Sequence, residues 1–260
     1  MPFNVGGNIW NGAMASVHDY RSIITRGLVM NLDANAPGSY PGSGTTWGDL
    51  SGNGNNATLS EAGIGTVSGS LNTMAFDGVD DYCYMAHDST IEPLVALTYE
   101  LWCFSDYAVA GEKTLMMKND GNISPYRGKR FWMYVWAGSG GELRSDIYNG
   151  TSYVKLSNGG AVNLQPNTWH HVVWTVLDGD FIKFYVDSVL QSTHSISGID
   201  ILKTDDEKLA IGARYHAHPS VGDRRDHYTG HIPIVRMYNT ALSSSEILQN
   251  FNAQRSRFGV

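Results

Sequence analysis

Three kinds of side chain in this 260-residue sequence have types and spacings that could do chemistry. The first are carboxylates. Hydrolysis of a glycosidic bond needs one carboxyl to protonate the leaving group and another as nucleophile or base. On a strand, such a pair sits at i and i+2, where both point to one face. Glu100 is the only acid in LTYELWCF, and its i+2 neighbour is Trp102. Glu142 and Asp146 bracket LRS, with Glu142 after GSGG at an expected strand end. No acidic strand triplet occurs, so no catalytic residue is assigned. There is also no GxSxG elbow and no phosphate-cradling loop ending in GK[ST].

Histidines and aspartates come second. His170 and His171 are adjacent on an expected strand, so they face opposite sides and cannot share one metal. Hydrogen bonding within or at the edge of the core suits them better. His216 and His218 could share a face, with Asp223, Asp226, His227 and His231 nearby in sequence. A His-x-His pair with a carboxylate can hold zinc, but YHAHPSVGDRRDHY reads more simply as a polar loop. Asp77, Asp80 and Asp81 in DGVDD offer the oxygen ligands a hard cation such as calcium takes. At turn positions the same side chains hydrogen-bond their own backbone. Calcium stays open, and neither a metal site nor a cofactor is assigned.

Aromatic residues are the third kind. Tyr40, Trp47, Tyr126, Tyr148, Tyr153, Tyr215 and Tyr228 lie in or near expected loops. Ring faces stack on sugars, anchor protein interfaces, or cover their own loops, and the sequence leaves all three open. Trp47, Tyr126, Tyr215 and Tyr228 are the ligand-contact candidates.

The elements that must position these groups are strands. GLVMNLD, TMAFDG, DYCYMA, LTYELWCF, TLMMKND, KRFWMYVW, DIYNG, SYVKLS, KLAIGAR and GHIPIVRMYN all read as strands. The clearest hairpin is TWHHVVWTVLDGDFIKFYVD, turning at Asp178-Gly179. In its first arm Val172, Trp174 and Val176 share one face, while Trp169, Val173 and Thr175 share the other. Apolar groups on both faces predict a central strand. The stretch ANAPGSYPGSGTTWGDLSGNGNNATL reads largely as loop. ALSSSEILQNFNAQR alone reads as helix, with Ser243 and Glu246 forming a capping box and Ile247, Leu248 and Phe251 an apolar stripe. About a dozen strands and one helix predict an all-β sandwich.

Composition excludes several functions. Eighteen basic against 25 acidic residues give a net charge of −7, which argues against nucleic acid as the partner. Charged residues are only 17% and aromatics 11%, which argues against disorder. Cys83 and Cys103 have no finger spacing and suit a reducing compartment. The opening MPFNVGGNIW lacks the features of a signal peptide, and no apolar run is long enough to cross a bilayer. Synthesis in the cytoplasm without membrane insertion is the expectation. Residues 1–26 mix Phe3, Ile9, Trp10, Ile23 and Ile24 with Gly and Asn. They are expected to form an arm that docks on another protein, ahead of one domain over 27–260.

The blocks MAFDGVDDYCYM, LTYELWCF, NTWHHVVWTVLDGDFIKFYVD, IGARY and GHIPIVRMYNTALSSSEILQNFN resemble, in order and spacing, laminin-G-like, concanavalin A-like jelly-roll domains. The resemblance covers residues 27–255. It implies a jelly-roll sandwich of two antiparallel sheets with one short C-terminal helix, and it gives calcium at a loop rim some support. The opening GLVMNLDANAPGSYPGSGTTWGDLSGNGNNATL and the ending YNTALSSSEI with NFNAQRSRFG are similar to the version found in structural proteins of tailed bacteriophages. That implies a non-enzymatic virion protein, present in several copies among other virion proteins, on capsid or tail. A carbohydrate-binding lectin or host-recognition module that grips surface glycans is the alternative, with a glycoside hydrolase behind it. Two departures stand out. Asp187-Ser188 replaces the usual Asp-Gly after the second hairpin strand, so a different turn type is expected there. Cys83 and Cys103 replace β-branched residues and are expected to stay unpaired.

Overall fold

The computed structural model describes residues 22–60, 65–66, 71–92, 95–105, 110–118, 131–148, 153–159, 163–197, 208–214 and 226–260. Among these are sixteen strands and one α-helix. The strands are β1 (Leu28–Asp33), β2 (Thr46–Trp47), β3 (Ala57–Leu59), β4 (Gly65–Thr66), β5 (Met74–Asp77), β6 (Cys83–Met85), β7 (Ala96–Ser105) and β8 (Glu112–Lys118). They continue as β9 (Phe131–Trp136), β10 (Glu142–Tyr148), β11 (Tyr153–Ser157), β12 (Trp169–Leu177), β13 (Phe181–Val186), β14 (Val189–Ser195), β15 (Leu209–Ile211) and β16 (Thr229–Tyr238). Helix α1 spans Ser244–Gln254.

The strands form two eight-stranded antiparallel sheets. Sheet one runs β14-β13-β12-β7-β16-β5-β4, with β1 also on β16. Sheet two runs β11-β10-β9-β8-β15-β6-β3-β2. This is the sandwich of two antiparallel sheets with one short C-terminal helix that the resemblance implies. The expected loop after β1 holds the short strands β2 and β3. Asp49 organises its turn by accepting from the backbone N–H groups of Asn31, Ser51 and Asn55.

Alternation along each strand sends one row of side chains into the space between the sheets. Leu97, Tyr99, Leu101 and Cys103 of β7 meet Phe131, Met133 and Val135 of β9 in one core. Tyr99 and Phe131 cross the gap with ring centroids 4.6 Å apart. Strand β12 is interior, paired with β7 and β13. Its row Val172, Trp174, Val176 lies in that core, while Val173 packs on the opposite face. Cys83 and Cys103 are both buried and free. Burial pushes the Cys103 thiol up to about 12, with Asp187 adding to it, so neither the pairing nor the reactivity of a surface thiol arises.

The outer face of sheet one is closed by helix α1 and the C-terminus. Ser243 and Glu246 form the capping box. The buried positions are Ile247, Asn250 and Phe251, whereas Leu248 is 40% exposed. The stripe is therefore rotated from the expected one, because a polar residue is wanted on its inner flank. Phe258 stacks on Trp102 at 4.1 Å between centroids.

Beneath the helix lies Glu100, fully buried. It accepts from Arg236 Nη1 at 2.7 Å and from Asn250 Nδ2, and His171 Nε2 lies 3.2 Å away. Burial alone would raise its proton affinity. Arg236, His171 and Asn250 outweigh burial and hold its pKa down to about 2, from the ordinary 4.5. The adjacent turn at Asp187-Ser188 corrects the expectation of another turn type. Both residues take positive φ, 50° and 66°, the geometry in which glycine is favoured. Asp187 stays there because its carboxylate accepts from the His171 N–H at 2.9 Å and pairs with His170 Nδ1 at 2.8 Å.

Two outcomes follow. Ser188→Gly should stabilise the fold by about 0.5–1 kcal/mol, since a non-glycine residue in the left-handed region costs ~1–2 kcal/mol and glycine returns part of that as entropy; thermal denaturation reads it as a higher Tm. Glu100 has a depressed folded pKa, so its contribution is complete above the unfolded value near 4.5 and fades as pH falls toward about 2. Glu100→Gln should cost about 3–5 kcal/mol at neutral pH by leaving Arg236 uncompensated, and its urea midpoint should change less than the wild type's across that acid window.

Candidate functional site

In sheet two, strand β9 is interior, paired with β8 and β10. KRFWMYVW alternates, so Phe131, Met133 and Val135 point inward and Trp132, Tyr134 and Trp136 outward. Pairing places the neighbours in rungs. Glu112 (β8), Trp136 and Glu142 (β10) form one. Thr114, Tyr134, Arg144 and Ser157 form the next, and Met117, Trp132, Asp146 and Lys155 the third.

The rings are fixed by their neighbours. Trp132 and Tyr134 stack with centroids 4.2 Å apart. The indole N–H of Trp132 donates to Thr114 Oγ1 at 3.0 Å. The hydroxyl of Tyr134 donates to Asp146 Oδ1 at 3.1 Å. The Arg214 guanidinium lies 4.7 Å over the Trp132 ring, and that of Arg144 4.8 Å over Trp136. Trp132 and Tyr134 are buried, whereas Trp136 is only partly buried. Gly138 lies at the edge of that indole, where an added Cβ would stand 3.2 Å from its nitrogen.

Most charges on this face are matched. Glu142 accepts from Arg144 Nε at 2.8 Å. Asp146 lies 3.9 Å from Lys155, and Asp226 lies 3.7 Å from Arg214. Glu112 stands apart. Burial raises its carboxyl above the usual range, and Asp226 and Asp146 push it further up. Burial also raises Asp146. The face thus combines a ring, oriented arginines and carboxylates, the groups that stack on and hydrogen-bond to a sugar.

The sequence candidates fare differently. Trp47 and Tyr228 are fully buried, so neither can meet a ligand. Trp47 sits in the inter-sheet core, and Tyr228 places its hydroxyl 2.6 Å from Ser105 Oγ. Tyr126 and Tyr215 lie outside the described residues, as do Phe3, Ile9, Trp10, His216, His218 and Asp223. Tyr40 is buried. Ile23 and Ile24 are half-buried, and Ile24 packs on the cluster of Val173, Tyr185, Tyr238, Leu242 and Ile247 in its own chain.

Asp77, Asp80 and Asp81 come together, with one carboxylate oxygen of each within 4.8 Å of the others. Asp77 Oδ1 accepts from the N–H groups of Val79 and Asp80, and Asp81 Oδ2 from that of Asp77, which is the turn role. Among the described residues His227 and His231 join no cluster that could hold a metal: His227 Nδ1 contacts the Asp81 carbonyl, and His231 Nδ1 contacts Thr73 Oγ1. His170 accepts from the Gln165 N–H through Nε2. Sequence reasoning missed Trp136, Glu112, Arg144 and Arg214. The period-2 run of Trp132, Tyr134 and Trp136 was the available signal.

A family model for the concanavalin A-like lectin/glucanases superfamily matches residues 77–248. Curated proteins give no match. Among solved structures, a botulinum neurotoxin serotype D ligand binding domain in complex with N-acetylneuraminic acid is similar at TM-score 0.65 and 14% identity, over 89% of this chain and 52% of that one. The binding domain of Paraclostridial Mosquitocidal Protein 1 is similar at TM-score 0.61 and 16% identity, over 87% and 52%. Domain 4 of a GH43 extracellular arabinanase from Geobacillus stearothermophilus, in complex with arabinotriose, is similar at TM-score 0.60 and 16% identity, over 86% and 97%. The chain spans about half the length of the two toxin domains. At these identities the likeness is one of fold.

Proposed function

Because the chain belongs to the concanavalin A-like lectin/glucanase superfamily, we propose that it is a non-enzymatic contact module that binds glycans through the outer face of sheet two. The observation that carries this reading is Trp136, a partly exposed ring flanked by Glu112 and Glu142 and backed by Arg144. Sugar-bound relatives of the same fold support it. The setting we propose is the particle of a tailed bacteriophage, with the arm expected over residues 1–26, shortened to the segment before Ser22 because Ser22, Ile24 and Arg26 bond to helix α1, docking on other virion proteins and the jelly roll displayed in several copies. The opening and closing segments named above support that setting, as does an acidic, weakly charged chain that would not compete for nucleic acid. Among the described residues no helix is long and apolar enough to cross a membrane.

One observation favours hydrolysis as a second reading. Glu112 and Asp146 share the face, and both hold protons above the usual range. Against it, Asp146 is engaged by Tyr134 and faces Lys155.

A glycan array, with arabinotriose and N-acetylneuraminic acid among its probes, should show binding. Trp136→Ala should weaken it about tenfold or more, the effect of losing roughly 1.4 kcal/mol of ring contact. Unchanged binding by that variant refutes the site, and release of shorter sugars that Glu112→Gln abolishes supports the enzyme reading. For the virion setting, removing residues 1–21 should leave a folded jelly roll that fails to enter the particle. Normal incorporation of the shortened chain overturns the docking role.

A further inference from the structure

The first described residues do not hang free. Ser22–Arg26 run along helix α1 as a strap. The Ser22 carbonyl accepts from Gln249 Nε2 at 3.0 Å. Arg26 donates to Glu246 Oε1 through Nη2 at 2.7 Å and to Thr240 Oγ1 through Nη1 at 3.0 Å. Between them, the backbone N–H of Ile24 donates to Asn250 Oδ1 at 2.7 Å. Gly27 closes the strap at φ +73°, where a Cβ would lie 2.7 Å from Asn239 Oδ1.

Asn250 is fully buried, and both ends of its amide are committed. Its two N–H groups go to Glu100 Oε2 and the Tyr238 hydroxyl. The reversed amide would set its oxygen against the Glu100 carboxylate, so that charge fixes the orientation. An acceptor must then face outward from the helix, and only a donor can satisfy it. Ile24 supplies that donor. The strap, the helix and the buried carboxylate are one chain of hydrogen bonds across three parts of the fold.

We infer that Asn250 is a latch that ties the N-terminal strap to the buried charge of sheet one, so that chain entry into the domain is held at one position rather than through a loose linker. The inference goes beyond the glycan and virion readings and stands without either. Any segment joined before Ser22 would then report the orientation of the jelly roll to whatever it binds.

Amide hydrogen exchange and tryptic cleavage after Arg26, both on the full chain, test it. In the wild type the Ile24 amide should exchange at least about tenfold more slowly than an open chain, with the helix amides. Ile24→Pro removes the N–H and should speed cleavage after Arg26 on the order of tenfold while the helix stays protected. Ile24→Ala keeps the N–H and should change cleavage far less. Asn250→Asp keeps the outward acceptor but sets a second carboxylate against Glu100, and should release helix and strap together. Open-chain exchange at Ile24 in the wild type overturns the latch, as does equal cleavage of the Pro and Ala variants. Those two measurements decide the matter even where the Asp variant does not fold.

Discussion

A carboxylate without access to water must be matched by donors on every open side, and Glu100 is such a group. Its partners come from separate elements: Arg236 from β16, His171 from β12 and Asn250 from α1. Removing Arg236 would strand a charge, and removing Asn250 would take the donor from Oε2, so the helix has one place to lie. That place is the outer face of sheet one, where Trp102, Phe251 and Phe258 seal the network from solvent. Among the described residues, the outer face of sheet one is packed by helix α1 and the C-terminal segment, and that of sheet two carries Trp136 and its polar neighbours.

Much of this was legible from local chemistry. Asp178-Gly179 specifies a hairpin, and the two-faced apolar pattern of β12 specifies a central strand. The capping box marks the helix start to the residue. What failed depended on tertiary partners. Leu248 and Asn250 both flank the helical stripe, and hydrophobicity chooses the wrong one. Only the presence of Glu100 makes a buried amide favourable there. Trp47 and Tyr228 lie in polar-looking segments, yet their rings fold inward, and Tyr228 finds Ser105 for its hydroxyl. Ser188 keeps a left-handed turn because Asp187 is anchored by two histidines.

The ring-bearing face is legible in the sequence as the period-2 run Trp132, Tyr134 and Trp136. Strand periodicity places three rings outward; it does not say which stays accessible. Trp132 and Tyr134 stack on each other and are buried. Trp136, at the strand's end, keeps part of its ring open. The charges around it are mostly paired in advance, which suits a surface that holds a ligand without rearranging. Contact through oriented, matched groups is the account that joins the two sheets.

The measurement that bears most directly on the proposal is the indole N–H spectrum of the labelled chain during titration with arabinotriose and with N-acetylneuraminic acid. The seven tryptophans give seven reporters. The account predicts that Trp136 shifts most, that the buried Trp47, Trp102 and Trp174 stay still, and that the sugar is recovered intact. Shifts confined to other indoles, or a sugar recovered in pieces, would contradict it.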